Sequence, residues 1–161
     1  MNTASDVWRS LLRDKSHRAF HLLCLLLILL IIIGDQLTKY AALRTLTGIK
    51  TIPIMGNMVS FTLVRNTGAS FGMLQDMSLL LLALSVIAAL AIIYHYPSVP
   101  HRLQVFVALL LGGVIGNLID RIFYGFVIDF FHLSFWPAFN VADIAITTGA
   151  IRLLIYYMTE K

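Results

Sequence analysis

Four long apolar segments run through the chain. The first contains an unbroken stretch from Leu22 to Ile33 that constrains the fold more than any other feature. A helix needs about 20 mostly apolar residues to cross a bilayer, and a backbone in hydrocarbon must satisfy its own hydrogen bonds. The sequence therefore predicts membrane-spanning helices over about 22–42, 77–96, 103–123 and 138–158. Pro97 and Pro100 close the second, and His101-Arg102 make a short turn into the third. Composition agrees with this reading. The 161 residues are 59% hydrophobic and 12% charged, where a soluble domain carries about 25% charged residues. The expected fold is an all-α membrane protein, one domain over 1–161, with a small extracytoplasmic sheet in the loop over 43–76.

That sheet is read from Val59-Ser60-Phe61-Thr62-Leu63-Val64-Arg65, which alternates apolar and polar residues for most of its length. Asn66-Thr67-Gly68-Ala69-Ser70-Phe71-Gly72 follows with turn chemistry. A sheet resting on the membrane is expected. Residues 1–21 hold Arg9, Arg13, Lys15 and Arg18, and Val7, Trp8, Leu11 and Leu12 can form one face of a short surface helix. A basic segment before an apolar run also resembles a secretory signal, but no small-residue cleavage site follows it. An uncleaved first span is the expectation. The basic N-terminus and the Arg102 turn share one side, which the positive-inside bias makes cytoplasmic, so both termini are expected inside. The same basic residues are accounted for by orientation and give no reason to expect nucleic-acid binding. Cys24 is the single cysteine, and the five histidines show no zinc spacing, so no metal is expected.

Topology then gathers the acids. Asp35 lies near the outer end of the first helix and Asp120 near that of the third. Asp129 lies in the outer connection, and Asp143 in the first turns of the last helix. Charges beside apolar spans are costly and tend to persist where they work or pair. Asp35 and Lys39 are four apart, as an ion pair bracing the loop requires. Asn117 and Arg121 share a helical face, and Asp120 and Arg121 can take part in an ion pair near the interface. Arg121 can equally snorkel. Asn140 can cap the last helix or, three residues before Asp143, turn its amide the same way as that acid toward a bound ligand. Gly112 and Gly116 form a GxxxG pair suited to close helix packing.

At these residues the chain resembles a known family, signal peptidase II, the bacterial lipoprotein signal peptidase. The resemblance covers roughly 22–155 and rests on five segments in order. They are Asp35-Gln36-Leu37-Thr38-Lys39, Asn66 to Gly72, Gly112 to Arg121, Val127-Ile128-Asp129-Phe130 and Phe139-Asn140-Val141-Ala142-Asp143. It implies an aspartic endopeptidase of the bacterial inner membrane, without cofactor, that cuts prolipoproteins just before a diacylglyceryl-cysteine. The partners it implies are those prolipoproteins and membrane lipid, with the chain as a monomer. It places the catalytic aspartates on Asp129 and Asp143, and polar supports on Asp35, Lys39, Asn66, Asn117, Arg121 and Asn140; Asp120 joins the supports from its own place near the outer end of the third helix. It also implies a periplasmic β-cradle and a small helix within 48–76. Two departures stand out: the segment from Asp129 to Asn140 is shorter than in many members, and the N-terminal extension is longer.

The chemistry expected of such a pair is water activation by two carboxylates sharing a proton, as close carboxylates cannot both ionise easily. Three rival readings use the same acids. They are a Mg²⁺-dependent phosphatase or prenyl-type transferase on Asp120, Asp129 and Asp143, a small transporter or proton relay, and a non-catalytic assembly protein built on the GxxxG pair.

Overall fold

The computed structural model describes residues 15–49, 51–56, 58–68 and 77–159. Helix α1 (Lys15–Leu46) leads to strands β1 (Ile52–Met55) and β2 (Val59–Asn66). Helix α2 (Ser78–His95) follows, then two 3-10 turns at Tyr96–Ser98 and His101–Leu103. Helix α3 (Gln104–Tyr124), strands β3 (Val127–Leu133) and β4 (Trp136–Phe139), and helix α4 (Val141–Thr159) complete the chain. The surface helix expected before residue 15, and the small helix implied within 48–76 where it falls on 69–76, lie outside the described residues.

All four helices are long and apolar enough to cross a membrane. In the apolar window of α3, 56% of residues are buried inside the protein, against 11%, 11% and 17% for the others. So α3 is the hub, packed against α1, α2 and α4, while the outer helices present leucines such as Leu23, Leu30, Leu79 and Leu90 outward. The close approach is made by glycine. A Cβ on Gly116 would stand 2.7 Å from an Asp35 carboxylate oxygen, and one on Gly113 would collide with the carbonyl of Ala142. The GxxxG pair is thus a packing device, with Gly112 lying against Ile31.

Three helix ends differ from the sequence expectation. Helix α1 begins at Lys15, well before the expected 22, and continues past residue 42 to Leu46. There Ala42 and Leu46 join Phe130 in a small buried cluster under the sheet, with Phe61, Leu63, Phe131 and Val141 against it. Helix α4 starts at Val141 and not at 138, because the preceding residues belong to β4. The sequence carries no strand signal after α3. In the structure residues 127–133 and 136–139 nevertheless supply half of a four-stranded antiparallel sheet of order β1-β2-β3-β4. Val127-Ile128-Asp129-Phe130 is buried on both faces, so it lacks the apolar–polar alternation that would mark a half-exposed strand.

Gly125 makes the corner into β3. Its φ of 78° is left-handed, and its N–H closes α3 on the Arg121 carbonyl at 3.2 Å. Between β2 and β3 the register slips by one residue between Phe61 and Val64, placing Val64 opposite Asp129. Bulges of this kind re-aim a side chain.

Candidate functional site

The site grows from a buried knot at the sheet end of the helices. Lys39 is 1% exposed, and its ammonium lies 2.7 Å from Asp35 and 2.8 Å from Asp120. It also donates to the Asn117 side-chain oxygen at 2.9 Å. Three donors thereby meet three acceptors, which is the full capacity of a lysine head. The second oxygen of Asp35 accepts the Ala142 N–H at 2.9 Å, in the first turn of α4. Asp120 accepts the Ile128 N–H at 3.0 Å, at the start of β3. The i,i+4 pair foreseen between Asp35 and Lys39 exists, but it locks α1 to α3, α4 and β3 and does not brace the loop. The partner of Asp120 is Lys39; the ion pair considered with Arg121 is replaced by it.

Two asparagines carry the knot outward. Asn117 Nδ2 donates to Asp143 at 2.8 Å, while its oxygen also accepts from Asn140 Nδ2 at 3.1 Å. Asn140 precedes α4 and caps it. Its side-chain oxygen accepts the Asp143 N–H at 2.9 Å, and Asp143 accepts the Asn140 N–H at 3.1 Å. This is a capping box, with an aspartate in the place of the usual Glu or Gln. The same Asn140 amide donates to Asp129 at 2.7 Å. From the other side, Asn66 Nδ2 donates to Asp129 at 2.8 Å, its oxygen held by the Gly68 N–H at 3.1 Å. One residue, Asn140, therefore touches both Asp129 and Asp143. Of the two roles left open for it, the cap is realised and its amide is fully engaged.

Asp129 is 1% exposed. Burial pushes its carboxyl up to about 7, and the adjacent Asp143 adds to this. Hydrogen bonds from Asn66 and Asn140, with the charge of Lys39, pull the other way without cancelling it. A carboxyl poised near neutrality beside a second carboxyl can hold one proton between two sites at physiological pH. The Arg121 guanidinium is half-buried, in electrostatic reach of Asp143, Asp129 and Asp120. Its contacts to Ser85 Oγ and the Asn117 carbonyl are long, at 3.5 Å each. It points toward α2, inside the fold.

All nine residues singled out in the sequence come together here. Sequence reasoning missed Gln36, whose Nε2 reaches Asp120 at 3.0 Å, the Gly116 carbonyl at 3.2 Å and Asp35 at 3.3 Å. Its visible signals were adjacency to Asp35 and a place within the Asp35–Lys39 segment. Among the described residues, no group of three or more His, Cys, Asp or Glu is arranged to hold a metal ion. Asp120, needed by the Mg²⁺ reading, has its oxygens committed to Lys39, Gln36 and Ile128.

Asp143 also lines an open cleft of about 270 Å³, with Leu133, Phe135, Trp136 and Phe139 of the β3–β4 hairpin facing Ile144, Thr147 and Thr148 of α4. An extended or lipid-bearing ligand has an apolar wall to lie against beside the carboxylates.

A family model described as signal peptidase (SPase) II matches residues 27–159. The lipoprotein signal peptidase of Moorella thermoacetica is 40% identical over 132 residues, spanning 80% of this chain and 88% of its own. That of Caldanaerobacter subterraneus is 39% identical over 142 residues, spanning 86% and 97%. Two solved bacterial membrane enzyme structures superpose with TM-scores of 0.74 and 0.76 at 29% and 28% identity. Each covers 86% of this chain, and the chain covers 91% and 94% of theirs.

Proposed function

Since the chain belongs to the signal peptidase II family, we propose that it is a multi-pass membrane aspartic endopeptidase acting on diacylglyceryl-modified prolipoproteins. Cleavage falls just before the lipidated cysteine, at the periplasmic face of the bacterial inner membrane, with both termini inside. The observation that carries this reading is the position of Asn140, hydrogen-bonded to Asp129 through its side chain and to Asp143 through its backbone.

Asp129 and Asp143 share one proton near neutral pH and hold a water between them. The ionised carboxylate takes a proton from the water as its oxygen adds to the peptide carbonyl carbon. The protonated carboxyl gives its proton to the carbonyl oxygen, forming a neutral tetrahedral adduct. Collapse breaks the C–N bond: the amine leaves with a proton from the dyad, a hydroxyl of the adduct gives its proton back to the dyad as its oxygen becomes the carbonyl of the new carboxyl group, and the pair returns to its starting state with one proton. The proton belongs to the pair, so neither acid is assigned a fixed role. Lys39, Asp35 and Asp120 fix the frame, Asn117 and Asn66 hold the carboxyl groups, and Arg121 supplies positive potential beside them.

The test is cleavage of a purified diacylglyceryl-modified prolipoprotein, with and without chelator, beside Asp129→Asn and Asp143→Asn. Cleavage is expected to survive chelation and to be nearly abolished in both variants while they remain folded. Turnover by either variant overturns the dyad, and loss on chelation favours the metal reading.

A further inference from the structure

The tip of the β3–β4 hairpin is unusual among the sheet's surfaces. Phe135 and Trp136 are 72% and 50% exposed, two large aromatic side chains side by side at a turn. The neighbouring β1–β2 tip lies against them, with the Ser134 N–H donating to the Met58 carbonyl at 3.0 Å. Met55 and Met58, at 66% and 59% exposure, extend the patch. Water would solvate such a surface at a cost, since large apolar side chains gain free energy by leaving water.

Position identifies what covers it. Phe135 and Trp136 line the same cleft as Thr147 and Thr148 of α4. Those threonines lie six and seven residues past Val141, about 9 Å or more along the axis of a membrane-spanning helix. The cleft between the hairpin and α4 therefore reaches below the level at which that helix begins, with the hairpin tip forming its other wall. Next to it Ile144 is 52% exposed on the same helix, part of the surface that faces lipid. Tryptophan also favours the boundary between headgroups and acyl chains.

We propose that the β3–β4 tip, with Phe135 and Trp136, is inserted into the bilayer leaflet on the sheet side, where it forms a lipid-contacting lip over the Asp143 cleft. This placement does not depend on which reaction the two aspartates perform.

Trp136 is one of two tryptophans, so Trp8→Phe leaves it as the single reporter in the full chain. The purified variant is reconstituted into phosphatidylcholine vesicles carrying bromine near the headgroup end, the middle or the far end of the acyl chain. Strong emission loss with the shallow bromines, weaker loss with the deep ones and protection from aqueous iodide are expected. Moving the reporter, by Met58→Trp with Trp8→Phe and Trp136→Phe, is expected to give the same shallow pattern. Quenching of Trp136 by iodide with no response to brominated lipid overturns the insertion.

Discussion

Asp129 carries the clearest pH signature of any single residue. Burial and Asp143 raise its carboxyl to about 7 from an ordinary 3.8, so the folded state binds that proton more tightly than the unfolded chain does. Folding is then least penalised below about pH 4. The penalty grows as pH rises, and is complete above about 7, where it reaches on the order of 4 kcal/mol. Asp129→Asn removes the charge and keeps the shape. Its melting temperature should exceed that of the parent by more at pH 8 than at pH 5, in one detergent. A gap that narrows with rising pH sinks the assignment. Lys39 presents the opposite case, a buried cation whose removal strands Asp35 and Asp120. Lys39→Met should lose about 3–5 kcal/mol, seen as a fall in melting temperature. Adding Asp35→Asn to it should recover part of that loss, and a further drop in the double variant would contradict the pairing.

Among the elements, the helices were legible from the sequence because apolar length alone specifies a span. The sheet was legible by half. Strand β2 alternates apolar and polar residues in sequence for most of its length, but the first half of β3 is buried on both faces, and periodicity is silent for such a strand. The acids of the site were legible as a group because the four spans place each of them at one side of the membrane, whereas Asn66 was indicated by the family resemblance alone. Their wiring was not: that Asp120 pairs with Lys39 instead of its neighbour Arg121 depends on a contact 81 residues distant in sequence, from position 39 to position 120. Helix packing gives a contrast that a sequence cannot. Gly34 in α1 has open space where a Cβ would stand, whereas Gly113 in α3 meets the backbone of α4. Gly34→Ala should stabilise by about 0.5–1 kcal/mol, the usual cost of a helical glycine. Gly113→Ala should destabilise by about 1–3 kcal/mol and lower cleavage as well, since it displaces Ala142 beside Asp143. Thermal melts of the two variants decide this, and a shift of the same sign in both would count against the close approach of α3 and α4.

The whole molecule inverts the pattern of a soluble domain. Its largest fully buried side chains include Lys39, Asp35, Asp120, Asp129 and Asn140, while leucines and isoleucines cover the outside. Such a body puts its polar site in reach of a ligand that arrives through the bilayer, by way of the cleft between the hairpin and α4. How the substrate reaches the proposed dyad can be read from how its acyl chain length affects the rate. While a lipidated peptide still exchanges with water, each buried CH₂ contributes about 0.8 kcal/mol to its membrane partition. Shortening the chain by two carbons should then lower the rate at limiting bulk substrate about fifteenfold. Once chains are long enough for complete partition, the rate should flatten, because the peptide is already confined to the plane in which the cleft opens. The measurement is cleavage in vesicles across a series of acyl lengths ending in the unlipidated peptide. A rate independent of chain length, with the bare peptide cut as fast as the lipidated one, would mean that substrate arrives from water and that the apolar wall beside Asp143 serves only the fold.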